Sequence, residues 1–277
     1  MVIGIVGLGL IGGSLAKAFK YSKSATVLGL DKDQLVTQIA KMSDFIDDDL
    51  TEKIAECDFV FLCISAPATV KFVKENAEKF SKKCIVVDCC GVKVPVCQPC
   101  FDVAKEHGFT FVGGHPMAGT QFSGLKHSKQ DMFVNQNMVL VPKHDEDVNV
   151  LQKIKDVLTL AGFGSVSVTT AEKHDQIIAF TSQLAHVVSN AYVKSPSASM
   201  HKGFSAGSYK DLTRVAWLNE EMWANLFLEN ADNVSFEIDN IIKELQKYKN
   251  AIESNDFETL KKLLKEGRIC KERCDKF

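Results

Sequence analysis

The sequence lacks long apolar runs, an excess of charge of either sign, internal repeats and low-complexity tracts. It has no stretch of about 18 or more apolar residues, so we expect no membrane-spanning helix and no membrane partner. The 33 basic and 35 acidic residues give a net charge of −2, and without a basic surface we expect no nucleic-acid partner. A hydrophobic content of 45% with 25% charged residues excludes wholesale disorder and fibrous proteins. The apolar first ten residues are glycine-rich and lack a preceding basic region, so we expect no targeting segment.

Cysteine, in contrast, is well represented, with nine unevenly spaced residues. Disulfide frameworks are typical of short secreted chains, so in a chain of 277 residues we expect reduced thiols and a cytoplasmic location. Cys97 and Cys100 form a C-x-x-C motif, and Cys270 and Cys274 form a second close pair. A zinc site would need both pairs to meet. Since nothing in their spacing brings them together, we predict no metal site.

Strands and helices alternate through the first part of the sequence. Short apolar runs predict strands at residues 2–6, 26–30, 57–64, 84–88, 109–112, 138–141 and 165–168. The segments between most of them have helical character. This alternation predicts an α/β fold, with an N-terminal Rossmann-type, doubly wound parallel sheet over residues 1–168.

After Thr169 the pattern changes to long helical periodicity without a convincing strand. The main predicted helices cover residues 171–193, 219–250 and 256–268. The segment 195–208, rich in Ser, Gly and Pro, is a predicted loop between them. We therefore predict an all-helical second domain over residues 169–277, which binds substrate and forms a dimer.

The predicted helical domain has more apolar residues than a domain of its size needs for its own core. Trp217, Trp223 and Phe227 recur at near-helical spacing and are expected in the core or in an interface. Interfaces of obligate homodimers resemble a core cut in half. We therefore predict a homodimer through this domain, with the active site in the cleft between the two domains.

The N-terminal predicted strand leads into a glycine-rich turn that opens a helix. The six residues of this G-x-G-x-x-G motif are Gly7, Leu8, Gly9, Leu10, Ile11 and Gly12. The glycines permit the tight turn, the close approach of a pyrophosphate and the packing of helix on strand. The second strand ends at Asp31, where a carboxylate would bind a ribose hydroxyl and repel a 2′-phosphate. The pattern predicts NAD as the coenzyme, with Ser65, Ala66 and Pro67 near its nicotinamide.

A histidine follows the fifth predicted strand. Residues 113–120 read GGHPMAGT, and His115 is held there by glycines and a proline. A neutral imidazole at a strand's carboxyl end could take a proton from a substrate hydroxyl while hydride leaves the same carbon. The alternative, on the residues alone, is a loop histidine that caps a turn.

Several segments together resemble the prephenate/arogenate dehydrogenase family of tyrosine biosynthesis. They are GIVGLGLIGGSLAKAFK from Gly4, GGHPMAGT from Gly113, EKHD from Glu172, SQLAH from Ser182, GSYKDLTRVA from Gly207 and the pair Met222-Trp223. The resemblance implies NAD-dependent oxidative decarboxylation of prephenate to 4-hydroxyphenylpyruvate, or of arogenate to tyrosine. Because these segments span nearly the whole chain in the family's order, we expect no further domain fused before or after it.

The resemblance also implies roles for individual residues. His115 would polarise or deprotonate the 4-hydroxyl group of the substrate. Arg214 would bind a substrate carboxylate, a task that suits the fixed fork of a guanidinium. The other residues implied to lie at the substrate are Ser182, His186, Thr120 and Gln121.

Some of these residues also have structural alternatives. Arg214 could form a salt bridge with a nearby carboxylate such as Asp211. His186 lies among apolar residues and could be a hydrogen-bonded core histidine. His174 could cap its helix or pair with Asp175 rather than contact substrate.

Three positions depart from the family's common pattern. Gly91 stands where many members have a serine whose hydroxyl assists the histidine, and Gln121 stands where many have a glutamate. Ala185 replaces the proline of the family's Ser-x-Leu-Pro-His segment, which predicts a straighter helix. These differences bear on substrate choice and gating but leave the reaction class unchanged.

Two other functions are open alternatives. A dehydrogenase of the β-hydroxyacid type would place a catalytic lysine in the long central helix, where Lys194 has the wrong spacing from Asn190. A non-catalytic NAD-binding sensor would need neither His115 nor Arg214. Both residues therefore favour the prephenate/arogenate dehydrogenase hypothesis.

Overall fold

The computed structural model of the chain describes residues 1–144 and 147–276. The strands are β1 (Val2–Val6), β2 (Thr26–Leu30), β3 (Asp48–Asp49), β4 (Phe59–Leu62), β5 (Ile85–Asp88), β6 (Thr110–Pro116), β7 (Asn137–Val141) and β8 (Ser165–Val168). The α-helices are α1 (Leu10–Ser22), α2 (Gln34–Met42), α3 (Ala66–Asn76), α4 (Val94–His107), α5 (Val148–Leu160), α6 (Ala171–Ile178), α7 (Ala185–Tyr192), α8 (Gly207–Thr213), α9 (Glu220–Leu228), α10 (Ala231–Glu253) and α11 (Phe257–Cys274). The predicted order of an α/β part followed by a helical part is confirmed.

The strands form one sheet in the order β3-β2-β1-β4-β5-β6-β7-β8. Pairing is parallel as predicted except between β6 and β7, which are antiparallel, so that β7 and β8 run opposite to the rest. The difference arises in the connection, residues 117–136. It contains a 3₁₀ turn at Leu125–His127 in place of a crossover helix, so the chain re-enters the sheet at the end where it left.

Each face of the sheet is covered by its own hydrophobic core. Side chains alternate along the central strands, so that in β4 Phe59 and Phe61 point to one face and Val60 and Leu62 to the other. The first face packs against α1, α2 and α5, and the second against α3 and α4. This two-sided cover is the doubly wound arrangement that buries a parallel sheet.

The chain turns in opposite directions on either side of β1. β1 pairs with β2 on one side and with β4 on the other, so the connections that leave these strands diverge. A crevice opens at such a switch point outside the carboxyl ends of the strands, and ligands of doubly wound proteins bind there.

The helical part differs in two places from what the sequence predicts. The predicted helix 219–250 is broken into α9 and α10 at Asn230, whose buried side chain donates to the Asp175 carbonyl and to Gln183. These contacts hold Asn230 in place at the start of α10. The predicted loop 195–208 contains a 3₁₀ turn at Pro196–Met200 and the start of α8.

The two parts are joined by a short link. β8 ends at Val168 and α6 begins at Ala171, so the predicted domain boundary after Val168 falls in this link and stays a prediction. Phe277, the last residue of the predicted helical domain, lies outside the described residues. Over the described ranges, none of the helices combines the length and the apolar character needed to cross a bilayer.

Candidate active site

The glycine-rich turn between β1 and α1 has the geometry that a dinucleotide needs. Gly7 has a φ of +88°, and a Cβ there would lie 2.6 Å from the Cys63 carbonyl oxygen. A Cβ on Gly12 would collide with the Gly7 oxygen, whereas one on Gly9 would meet nothing within 4 Å. The backbone at Gly9 is thus open to a close ligand. Gly9 supplies no side-chain cap to α1, so the first N–H groups of that helix can bind an anion.

Asp31 follows β2 directly and its carboxylate is fixed beside this turn. One oxygen accepts a hydrogen bond from the backbone N–H of Leu8 at 2.8 Å, and the other accepts from that of Asp33 at 3.0 Å. The carboxylate therefore contacts the glycine-rich loop, with remaining lone pairs available for a hydroxyl donor. This is the position in which an acidic residue binds a coenzyme ribose.

The third predicted coenzyme segment lies on the other side of the turn. Ser65 precedes α3, and Ala66 and Pro67 form its first turn. The preceding Cys63 donates its backbone N–H to Val6 at 2.7 Å, which holds the end of β4 against the glycine turn. The predicted coenzyme residues thus converge on the switch point.

His115 lies within a strand rather than in the loop that the sequence predicts. The predicted strand ends at Val112, but β6 continues to Pro116 because Gly113–Pro116 pair with β7. The pairing with β5, in contrast, ends at Val112. The backbone at His115 is therefore paired with β7 on one side. On the other side it has no strand partner, because the pairing with β5 has ended.

The His115 ring contacts a second histidine from the helical part. His115 Nδ1 lies 2.9 Å from Nε2 of the buried His174, which belongs to α6. His174 Nδ1 lies 2.7 Å from a carboxylate oxygen of Asp175. The same carboxylate accepts the backbone N–H groups of Lys93 and Val94 at the start of α4, at 2.7 and 2.8 Å. Of the two alternatives, pairing of His174 with Asp175 is therefore observed, and His174 also contacts His115.

A buried ion pair holds the backbone beside His115. Lys93 and Asp88 are fully buried and form a salt bridge with each other. The Lys93 ammonium also donates to the Gly114 carbonyl at 2.6 Å, and Asp88 accepts the Gly114 N–H at 3.0 Å. Burial alone would lower the pKa of Lys93, but Asp88 outweighs it and raises that pKa. The peptide groups preceding the histidine are thus clamped on both sides by a charged pair.

The surroundings of His115 disfavour its charged form. Burial, the His174 ring and the Lys93 ammonium together hold the pKa of His115 well below its usual range. Its imidazole is therefore neutral at neutral pH, which is the form that can accept a proton.

His174 and His186 lie on one helical rod. α6 continues through a π-helical segment, Ala179–Leu184, into α7. Twelve residues of regular α-helix would turn the second histidine about 120° away from the first, at about 100° per residue. A one-residue π-bulge removes about 100° of this rotation, so both histidines face one side of the rod. The helix continues through Ala185. The regular α-helix that the sequence predicts is, however, interrupted by the π-helical segment.

His186 is in contact with Trp223 and close to Arg214. The His186 and Trp223 rings stack with centroids 3.7 Å apart, and His186 Nδ1 donates to the Ser182 carbonyl at 2.8 Å. Burial lowers the pKa of His186, the Ser182 hydrogen bond opposes this, and the Arg214 charge lowers it further. His186 is only partly buried, so it is not a core histidine. The sequence predicts Trp223 in a core or an interface but does not predict its contact with His186.

Arg214 starts a 3₁₀ turn after α8 and has an exposed side chain. Among residues 1–144 and 147–276, no carboxylate forms an ion pair with it, Asp211 included. Because the structural alternative is a salt bridge, this favours a guanidinium available to a ligand.

The remaining predicted substrate residues lie in two places. Ser182 is part of the π-helical segment, one turn before His186. Thr120 and Gln121 lie in the exposed loop after β6, where Thr120 accepts a hydrogen bond from the Phe122 N–H at 3.3 Å. Neither of these two residues forms a hydrogen bond with His115.

Gly91 is covered by the helical part. A Cβ at this position would lie 3.1 Å from a Leu226 methyl group, so a serine would require that side chain to move. The glycine therefore fits the packing of α9 on the loop after β5.

The two cysteine pairs lie in different environments. Cys97 and Cys100 are buried in α4, where burial raises the pKa of Cys100 to about 12, whereas Cys270 and Cys274 are exposed on α11. In the part of the chain that the structure describes, no three His, Cys, Asp or Glu side chains are placed to hold a metal ion.

Sequence reasoning missed the residues that support the histidines. Lys93 and Asp88 are the only charged residues between Cys84 and Phe101, a signal that marks both as candidates for a buried pair. For Asp175 the sequence predicts only a pairing with His174. Asn230 donates a hydrogen bond to Gln183 at 2.6 Å, and nothing in the sequence marks either residue as part of the site.

Comparisons with known proteins cover both parts of the chain. Residues 15–167 match the family model "Prephenate dehydrogenase, nucleotide-binding domain", and residues 170–266 match "Prephenate dehydrogenase, dimerization domain". The chain is 32% identical to the cyclohexadienyl dehydrogenase of Zymomonas mobilis, over 96% of this chain and 93% of that protein.

Two solved structures are similar over almost their full lengths. A prephenate dehydrogenase from Aquifex aeolicus, in complex with hydroxyphenyl propionate and NAD+, has a TM-score of 0.84 and 30% identity over 99% of this chain and 98% of that one. An arogenate dehydrogenase from Synechocystis has a TM-score of 0.81 and 25% identity over 99% of both chains.

Proposed function

The chain belongs to the prephenate/arogenate (cyclohexadienyl) dehydrogenase family, and from this premise we propose how its site performs the reaction. It is a prephenate or cyclohexadienyl dehydrogenase of tyrosine biosynthesis. We propose NAD as its coenzyme, His115 as its catalytic base and a homodimer as its functional form.

Three features of the nucleotide-binding part support NAD. Gly9 leaves room for a pyrophosphate, α1 offers its N-terminus to the phosphates, and Asp31 is placed to bind the ribose hydroxyls. The Asp31 carboxylate would repel the 2′-phosphate of NADP. When bound, NAD supplies the hydride acceptor. The Aquifex aeolicus relative was solved with NAD+.

The state of His115 carries the mechanistic proposal. Its Nδ1 is engaged with His174, so Nε2 is the ring nitrogen left for substrate. As hydride leaves C4 of the ring, His115 Nε2 accepts the proton of the 4-hydroxyl group and the C4–O bond gains carbonyl character. The bond between the ring and its carboxylate then breaks. CO2 leaves, and the electron pair of the broken bond makes the ring aromatic. The developing phenolate oxygen takes the proton back from His115, so no net proton is released.

Arg214 and His186 are our candidates for orienting the substrate. Arg214 is exposed and would bind a substrate carboxylate through two parallel hydrogen bonds. His186 is packed on Trp223 and lies on the same helical face as His174, the residue that contacts His115. We propose that Ser182, Thr120 and Gln121 complete the substrate pocket.

The test of this function is the formation of NADH by the purified protein. We expect turnover of prephenate, arogenate or both with NAD, and a kcat/KM for NADP lower by about tenfold or more, since the Asp31 carboxylate opposes an added phosphate. Absorbance of the reduced coenzyme measures both. Absence of NADH with both substrates would contradict the proposal, and equal use of NADP would contradict the role of Asp31.

The helical part exposes many large apolar side chains. α10 is 23 residues long and buries only Val234 and Ala251, while Phe236, Leu245 and Ile252 are exposed on it. Large apolar side chains that are exposed in number on one element are typical of interfaces. Together with the match to a dimerization domain, this supports a homodimer formed through α10 and its neighbours.

We expect the protein to sediment as a dimer at micromolar concentration. Leu245→Asp places a charge in the apolar surface and is expected to shift the equilibrium to monomer. Lys243→Asp, an exposed position two residues away on the same helix, is the matched control and should remain dimeric. A monomeric wild-type protein in sedimentation equilibrium would overturn the proposal.

A further inference from the structure

A continuous chain of polar contacts passes through the helical part and ends at the proposed catalytic histidine. It runs from the N-terminus of α4 to the Asp175 carboxylate, then to His174, and ends at His115 Nδ1. Asp175 and His174 are 1% and 3% exposed, so the central members of the chain are shielded from water. Buried networks of this kind are strong when every member is satisfied.

We propose that His174 and Asp175 are positioning residues that hold His115 in the tautomer with its proton on Nδ1, leaving Nε2 as the proton acceptor. This inference rests on the proposed role of His115 as the base and adds what makes it one. Neither residue needs to contact the substrate, since both act through the His115 ring.

The direction of each hydrogen bond follows from the carboxylate. The Asp175 carboxylate already accepts two backbone N–H groups and has only acceptor sites, so His174 Nδ1 donates its proton to it. In a neutral imidazole the other nitrogen is then an acceptor, which makes His174 Nε2 accept. His115 Nδ1 must therefore carry the proton, and its Nε2 keeps the lone pair.

The loop after β5 explains why this support comes from the helical part. Gly91 has no side chain with which to hold His115, and Leu226 occupies the space next to it. His174 instead reaches the ring from α6, with ring centroids 5.1 Å apart. The order of donors and acceptors resembles that of a catalytic triad, in which a buried carboxylate fixes the tautomer of a base through its far nitrogen. Here a second histidine is inserted between the two.

Charged groups from several elements surround the relay of His115, His174 and Asp175. Lys93 immediately precedes α4 and Asp88 ends β5, while Glu229 follows α9 and interacts with Asp175. Lys93 and Asp88 neutralise each other, so the orientation of the relay is decided by the Asp175 carboxylate.

Three variants separate positioning from structural support. His174→Gln keeps an acceptor oxygen near the place of Nε2, and we expect its kcat to stay within about fivefold of wild type, since one acceptor replaces another. His174→Leu removes the acceptor at similar volume and should lower kcat on the order of 10²-fold, with the KM for NAD unchanged. Asp175→Asn can still cap α4 but can donate to His174 Nδ1, which favours the opposite tautomer. His107→Leu, at the far end of α4, is the control for loss of a histidine.

Nuclear magnetic resonance of 15N-labelled histidine provides a readout that does not depend on turnover. We expect the His115 proton on Nδ1 in the wild-type protein and in His174→Gln, and on Nε2 in Asp175→Asn. If the wild-type protein fails to oxidise prephenate and arogenate, the proposed function fails. The tautomer of His115 still tests whether His174 and Asp175 position its ring. Thermal unfolding of each variant shows whether the fold is kept.

Two results would overturn the inference. One is an Nε2–H tautomer of His115 in the folded wild-type protein. The other is equal kcat in His174→Leu and His174→Gln, since a merely structural histidine would not distinguish them once both are folded.

Discussion

Replacing His115 by asparagine is expected to lower kcat by about 10³-fold, within the range attributed to a general base. Asparagine is the informative substitution because its side-chain N–H can still donate to His174 from near the position of Nδ1, while nothing replaces Nε2. The coenzyme residues lie on other strands, around β1, β2 and β4. The affinity for NAD, measured by titration calorimetry, should therefore stay unchanged.

Arg214→Lys is the contrasting variant for the same assay. It keeps the positive charge but loses the second parallel hydrogen bond to a carboxylate, so we expect the KM for the cyclohexadienyl substrate to rise about tenfold with little change in kcat. An unchanged kcat in His115→Asn would remove His115 from the mechanism. In Arg214→Lys, a fall in kcat without a rise in the KM for the cyclohexadienyl substrate would show that Arg214 does not bind the substrate.

The pH profile of the wild-type enzyme carries the signature of the same base. Catalysis needs the neutral imidazole, which is present above the pKa of His115 and is lost as the pH falls through it. Since burial, the neighbouring His174 ring and the Lys93 ammonium lower this pKa, the acid limb of kcat/KM belongs below the ordinary histidine value of about 6.5.

Lys93→Met is expected to lower the free energy of unfolding by roughly 3–5 kcal/mol, the range for removing one partner of a buried ion pair. The substitution leaves the Asp88 carboxylate fully buried without its cation and the Gly114 carbonyl without its donor. Both losses lie beside His115, so activity should fall together with stability. Urea denaturation at a fixed protein concentration measures the effect.

Lys71→Met is the matched control for this loss. Lys71 and Glu75 form an exposed pair one turn apart on α3, 3.7 Å from nitrogen to oxygen. Such pairs contribute at most about 0.5 kcal/mol, so the control should unfold close to wild type. The double variant Lys93→Met with Asp88→Asn should regain part of the loss, because no unpaired charge then remains. If Lys93→Met were as stable as Lys71→Met, the buried pair would have no part in holding the strand.

The features that sequence predicts well are those set by local chemistry. Glycine spacing, the apolar run before it and the acid at Asp31 each follow from the turn and its ligand, and the structure places them together. The strands of the parallel core read as continuous apolar runs because both of their faces are buried. These elements could be recognised without knowing their partners.

The features that sequence did not predict depend on distant partners. The segment from Gly113 to Pro116 has poor strand propensity, and only its pairing with β7 makes it a strand. Lysine is usually exposed, and Lys93 can be buried because its ammonium group contacts the Asp88 carboxylate and the Gly114 carbonyl. The contact between His115 and His174 joins residues 59 positions apart, so no local pattern announces it.

Asp175 links the two parts of the chain by holding the start of α4 while its neighbour His174 holds the base. If the helical part separates from the sheet, the helix cap and the orientation of His115 are lost in one event. The free energy of docking one part on the other is therefore thermodynamically linked to the population of competent base. A ligand that binds both parts would raise that population by mass action, so that substrate itself can help to assemble the catalyst that consumes it.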